Sequence, residues 1–185
     1  TADALRKMLL MFRPYEKVQG SADSIHGDAL GRASEILKRV DRGPASTITE
    51  LQQVIAAARD AYTAMEVTDP VGSYPLIGIV GEIYLRFNEF SNQYLIRKLE
   101  KAGAEAWIAD IAEWVWYTNA EEKRKLRYRR KRMSAAYAAV AVREYVQKRD
   151  EERLLLPLRD LFRQRREASI EEILSYSSPY LPSHM

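Results

Sequence analysis

The sequence predicts an α/β protein, predominantly helical, whose helices surround a small parallel βαβ unit belonging to a larger Rossmann-like sheet. Three observations lead there. Apolar residues recur three and four apart over most of the 185 residues, the period of an amphipathic helix. The period changes at "LIGIV" (76–80) and "AEAWIAD" (104–110), short apolar runs that read as strands. Between them lies a helical stretch closed by Gly103, so strand, helix, glycine and strand follow within the length of one βαβ unit.

The elements follow in order. Leu5, Met8, Leu9 and Phe12 mark a first helix that ends before Pro14, and "RPYEKVQG" is a turn-rich connector. A second helix is predicted over 22–40, with Ile25, Ala29, Ala33, Ile36, Leu37 and Val40 on one face. Gly27 and Gly31 weaken it or admit another backbone. "DRGP" stops it. Thr47 with Glu50 fits a capping box for a third helix running to Met65, with Leu51, Val54, Ile55, Ala58 and Tyr62 inward. "TDPVGSYP" is a hinge. "LIGIV" suits a strand buried on both faces. Asn88 or Ser91 is expected to cap the next helix, which carries Tyr94, Leu95 and Leu99 as its apolar positions. "IAEWVWYTN" reads as an aromatic connector. One long helix is then expected over 120–153, broken by Pro157, with Leu126, Met133, Tyr137 and Val140 as its packing face. A further helix should run to Arg165, and a short last one should be opened by Ser169 and Glu172.

This divides the chain into a helical segment (1–69), a βαβ unit (70–119) and a second helical segment (120–185), together one domain. Two strands are too little sheet for a parallel pair, so further strands are expected from outside the chain or from a partner. The start inside a helical pattern and the "SPYLPSHM" end point the same way, to a piece of a longer protein.

Composition excludes several chemistries. The chain is 46% hydrophobic and 30% charged, enough for a core and a solvated surface. It holds no apolar run of about 18 residues, the length of a membrane span. With no cysteine, it has no disulfide, zinc-thiolate, iron–sulfur or cysteine-nucleophile site. His26 and His184 stand far apart, which argues against a histidine metal site or triad. No Walker A, G-x-S-x-G or H-E-x-x-H motif occurs, and "GIVGEI" lacks the third glycine of a dinucleotide fingerprint.

Polar residues crowd instead into "GEIYLRFNEFSN" after the first strand: Gly81, Glu82, Arg86, Asn88, Ser91 and Asn92. Ligands of open α/β sheets bind at the carboxyl ends of parallel strands. Arg86 could grip a phosphate or carboxylate there, and Glu82 could accept a ligand hydrogen. Alternatively, Glu82, Arg86 and Asn88 satisfy one another and a helix cap. Trp114, Trp116 and Tyr117 could wall the same pocket, although large aromatics more often serve as core. The run 123–132 has eight basic residues of ten with Tyr128 interleaved. On a helix its charges point in all directions and acids bracket it, so a solvated helix is preferred over a nucleic-acid handle.

The stretch "VGEIYLRFNEFSNQYLIRKLEKAGAEAWIADIAEWVWYTN" resembles the 2-hydroxyacyl-CoA dehydratase-related proteins, also described as CoA-substrate-specific enzyme activase-related or acyl-CoA dehydratase activase-related proteins. "LRKMLLMFRPYE" before it and "ILSYSSPYLP" after it fit the family in the same order. The resemblance implies a system that removes water from 2-hydroxyacyl-CoA with an iron–sulfur cluster and an electron from an ATP-driven activase. This chain departs from that pattern by having no cysteine and no glycine-rich phosphate loop. The expectation is therefore a non-catalytic segment, with no catalytic residue, metal or cofactor of its own. It would serve ligand binding or docking, while the cluster and ATP belong to the parent protein. Its partners would be the rest of that chain, a dehydratase subunit or a second copy through open sheet edges, in the cytoplasm and without membrane or nucleic acid. The alternative is a stand-alone helical module that binds protein or nucleic acid through 123–132.

Overall fold

In the computed structural model the described residues are 1–39, 41, 43–130, 133–163, 165, 168–177 and 179–180, with only the backbone described at 171 and 177. Val40 of the predicted second-helix face, Lys131 and Arg132 of the basic run, the 181–185 end and His184 lie outside them. The chain forms two compact units: Thr1–Ala109 with Arg153–Leu158, and Asp110–Glu152 with Arg159–Met185.

The first unit starts with α1 (Ala2–Phe12), which passes at Pro14 into a 3-10 turn, Arg13–Tyr15. Helices α2 (Ser21–Leu37) and α3 (Pro44–Ala64) pack on α1. Their core is Leu5, Met8, Leu9 and Phe12 against Ala22, Ala29 and Ala33 and the five predicted α3 positions, all buried. Phe12 stacks on Tyr62, and the Tyr62 hydroxyl donates to Ala22 O at 3.1 Å. α3 begins one turn before the predicted cap. Pro44 takes the first helical position, where its missing N–H costs nothing, and Thr47 lies inside, bonding back to Gly43 O. α2 ends at Leu37, which is exposed.

Strands β1 (Leu76–Ile79) and β2 (Glu105–Ile108) pair in parallel, with Leu76 opposite Glu105 and Ile79 opposite Ile108. The predicted predominantly helical α/β class with a two-stranded parallel sheet is therefore present. Short α4 (Ile83–Phe87) and α5 (Leu95–Lys101) connect the strands. α5 closes as expected in a Schellman motif, with Gly103 N–H on Glu100 O, Ala104 N–H on Leu99 O and Gly103 at φ 78°. β2 is the covered strand, packed by α1 and α5. β1 corrects the prediction of burial on both faces: Leu76, Ile77 and Val80 are exposed, because the helices α1 and α5 pack on β2 and leave this strand outside. The apolar positions of α5 are likewise unburied.

The second unit corrects three predictions. The "IAEWVWYTN" connector is helical, forming the start of α6 (Ile111–Tyr128) behind the cap position Asp110. The expected long helix is two helices, α6 and α7 (Ala135–Leu155). The break falls in the basic run, where like charges recur three and four residues apart, as at Lys123/Arg127 and Lys125/Arg129, and oppose helix continuation: Arg130 turns left-handed at φ 55°, and Ser134 Oγ accepts from Tyr137 N–H to start α7. Met133, placed on the packing face, is 99% exposed in that break, whereas Val140 is buried. Beyond the 3-10 turn Leu156–Leu158, residues 159–163 form turns instead of the predicted helix to Arg165. The last helix, α8 (Ile170–Ser177), starts where Ser169 Oγ accepts from Glu172 N–H at 3.2 Å, as its capping box predicts. α6 and α7 meet through a polar seam. Lys123 pairs with Glu144, Arg143 reaches Glu122 and Asn119, and buried Asn119 donates to Gln147.

Candidate functional site at the strand ends

Ile79 and Ile108 end their strands side by side, and the polar loop starts directly after them. Gly81 takes φ 139°, a conformation open to glycine and few other residues; a Cβ there would meet nothing within 4 Å, so the requirement is backbone freedom and not a close approach. Glu82 caps α4 by accepting from Leu85 N–H at 3.1 Å. Asn88 Oδ1 accepts from Ser91 N–H at 2.8 Å. Asn92 is the hub: its amide donates to Leu85 O and Arg86 O, and its oxygen accepts from Leu95 N–H. Asn92, together with left-handed Gln93 and Tyr94, thus turns the chain from α4 into α5. The expected cap of α5, Asn88 or Ser91, is replaced by Asn92. Ser91 contributes its backbone N–H, and its side chain is exposed.

Arg86 is different. Its Nη1 donates at 3.1 Å to Ala109 O, the first residue past β2, which ties the loop to the carboxyl edge of the sheet. Its guanidinium lies 5.6 Å from the Phe87 ring centroid, and that of Arg6 on α1 lies 4.4 Å from the same centroid. Both side chains are half-buried, and Arg86 Nε and Arg6 Nη1 are buried without an acceptor among the described residues. Lys7, beside Arg6, stands 5.4 Å over Trp107 of β2. Nothing in the sequence singles out Arg6, which is one cation on an amphipathic helix until α4 folds over it.

A second polar cluster, missed because "RPYE" reads as a turn, is structural in character. Buried Arg13 donates through Nε and Nη2 to Glu100 at 3.0 and 2.7 Å, and through Nη1 to Asp23 at 3.0 Å. Arg97 holds the other side of Asp23 at 2.8 Å. Burial pushes the Glu100 carboxyl up, with Arg13 pulling against it. Burial also acts to raise the Asp23 carboxyl, but Arg97 and Arg13 outweigh it and hold it below the usual range. Next in the chain, the Tyr15 hydroxyl donates to buried Glu105 at 2.5 Å and accepts from Gly72 and Tyr74 N–H, fastening the hinge to β2. Burial and the Glu105 bond raise the Tyr15 phenol. Glu16 caps α2, accepting from Gly20 and Ala22 N–H.

Trp114, Trp116 and Tyr117 lie on α6 in the second unit, not on a loop. Trp114 and Tyr117 are exposed, so they are not core residues, and Trp116 is half-buried under Lys148. Tyr117 does line an open depression of about 330 Å³ with Thr118, Glu121, Glu122 and Lys125. In the basic run, Lys123 and Arg124 are paired with Glu144 and Glu121, while Tyr128 is exposed.

Among the described residues, no group of three or more His, Asp or Glu is placed to hold a metal, and no helix is long and apolar enough to cross a membrane. Comparison with protein-family models, curated proteins and solved structures finds no match to this chain.

Proposed function

We propose that the chain is a non-catalytic segment of a 2-hydroxyacyl-CoA dehydratase- or activase-related protein, and that it docks to the dehydratase-like remainder of its parent through the free edge of β1. The family part of this reading rests on the resemblance of residues 80–119. The docking part is carried by one observation: an apolar strand stands uncovered at the sheet edge. Pro75 O accepts from Glu105 N–H. In the alternation of a parallel ladder, that turns the backbone groups of Leu76, Gly78 and Val80 away from β2. Leu76 is 51% and Val80 90% exposed, and Tyr84, Leu85 and Phe90 in the following loop and helix are exposed as well. Soluble proteins normally blunt such an edge with charge, proline or a cover. Here the chemistry fits strand addition, in which main-chain bonds supply affinity and alternate side chains supply specificity.

An iron–sulfur cluster does not fit this chain, because its sequence supplies no thiolate. The cluster and the ATPase are assigned to other parts of the system, and no bond-breaking step is assigned to any residue here.

The test is Leu76→Lys with Val80→Lys, which adds charge to the outer edge and leaves the β2 ladder intact. Binding to the dehydratase-like remainder of the parent, supplied as a separate polypeptide, should weaken at least tenfold with the circular dichroism unchanged. Unchanged binding refutes the docking edge. Self-association of the chain alone that disappears in the same variant would assign the edge to a second copy instead, and would refute the proposed occupant.

A further inference from the structure

We propose that Arg6 and Arg86 together bind a phosphate oxyanion, free or carried on a monoester, beside Phe87 at the carboxyl end of β2. The argument begins with charge balance inside the first unit. Arg13 and Arg97 share two carboxylates, Glu100 and Asp23, at hydrogen-bonding distances. Arg6 and Arg86 have no carboxylate partner among the described residues; their hydrogen-bond and ring contacts there are one carbonyl, Ala109 O, and one ring, Phe87, and Arg6 also acts on His26, whose imidazole pKa is held down by burial and this cation. Each also keeps a buried nitrogen without an acceptor. Burying a donor or a charge without a partner is costly. Two cations are set against one ring centroid, at 4.4 and 5.6 Å, so they lie no further apart than the sum of those distances. Their repulsion is relieved by an anion that both can reach.

The identity of the anion follows from geometry and charge. The two guanidiniums come from different elements, α1 and α4, and one of them is already anchored on the strand end. A carboxylate carries one charge and suits one guanidinium fork. A phosphate carries close to two charges and has oxygens pointing several ways, which suits two forks from two directions. The Phe87 ring shields one side of the pair, so the oxyanion would replace water there. The place agrees with the rule that ligands of parallel sheets bind outside the carboxyl strand ends. This proposal is independent of the docking edge: β1 takes no part in it, and neither test depends on the other.

The experiment is a titration of the whole chain with inorganic phosphate at constant ionic strength, balanced with chloride. It is followed by the arginine Nε–H signals in 15N NMR and by thermal unfolding. Two arginine signals should shift saturably and the melting temperature should rise. Sulfate should act like phosphate and acetate should not. A glycerol phosphate arm separates a monoester site, which binds the ester at least as well as free phosphate, from a site for the free ion alone. Arg6→Gln and Arg86→Gln should each weaken phosphate binding at least about tenfold, the loss of a charge-assisted contact. Arg6→Lys, which keeps the charge and loses the fork, should fall between. If Arg86→Gln fails to fold, the wild-type NMR titration and Arg6→Gln still decide. A response to phosphate no different from chloride, an equal response to acetate, or undiminished binding in Arg6→Gln overturns the proposal.

Discussion

Replacing Arg13 by Met should be among the most damaging single changes in the first unit, and the reason is electrostatic more than steric. Met retains much of the buried stem, so the change removes mainly the guanidinium. Glu100, whose side chain is 8% exposed, then loses its bonds at 3.0 and 2.7 Å and is left with Arg97 Nη1 at 4.0 Å. Breaking a buried pair from one side costs about 3–5 kcal/mol, because the remaining charge is uncompensated. Removing both partners does not, so Arg13→Met with Glu100→Leu should recover at least about 2 kcal/mol of that loss. The assay is urea unfolding followed by Trp107 fluorescence, with Trp114 and Trp116 replaced by Phe so that the signal reports the first unit. The pH dependence has a definite sign. Burial already raises the Glu100 carboxyl, and without Arg13 it rises further. A carboxyl whose folded pKa lies above its unfolded value, about 4.3, gains stability as pH falls through the folded value. The Arg13→Met deficit should therefore be largest at pH 7 and smaller at pH 5. Asp23 acts oppositely: held below the usual range by Arg97 and Arg13, it contributes stability above about pH 3.9 that is lost as pH falls through its lowered folded value. A deficit under about 1 kcal/mol, or a double variant equal to the sum of the singles, would refute the argument.

Gly27→Ala and Gly31→Ala should each stabilise α2 by about 0.5–1 kcal/mol, because both glycines lie in the helix interior and a Cβ at either meets nothing within 4 Å; destabilisation in thermal melts would show that a second backbone needs those positions. Short DNA and RNA oligomers should bind the basic run weakly and without sequence preference, with affinity falling steeply with salt, because Lys123 and Arg124 are already paired with acids; sequence-selective binding at physiological salt in fluorescence anisotropy would favour the nucleic-acid module instead.

What the sequence made legible was local and periodic. The inward face of α3, the Schellman end of α5, the Ser169 cap and both strands came from patterns complete within a few residues. Features that depend on distant partners were not legible. Arg13 meets Glu100 across 87 positions, and Tyr15 meets Glu105 across 90. No local pattern marks either pair, and Arg6 becomes distinctive only against Phe87. The α6–α7 break was missed because the hydrophobic pattern runs through it. The polar loop was half legible: its crowding was visible, but its chemistry divides between capping by Glu82 and Asn92, a turn closed by Asn88 and the sheet-edge contact of Arg86.

The disagreement at β1 says more than the agreements do. A short apolar run such as Leu76–Ile79 is the composition of a strand covered on both faces, yet this one stands uncovered, with Leu76 51% exposed and Val80, just past its end, almost fully so. On α1 and α3 local pattern and environment concur: their inward faces are apolar and buried, while Lys17 and Glu66 pair in the open, and the departures gather at β1, α5 and the end of α2. Sequences whose levels agree nearly everywhere tend to break the rule at functional positions. An exposed strand edge that served no partner would be expected to carry a lysine or a proline. Residues 76–80 carry neither. The composition of β1 therefore describes an environment that the described residues do not supply, and a partner that adds a strand at its outer edge and lays its own helices over the faces would supply it.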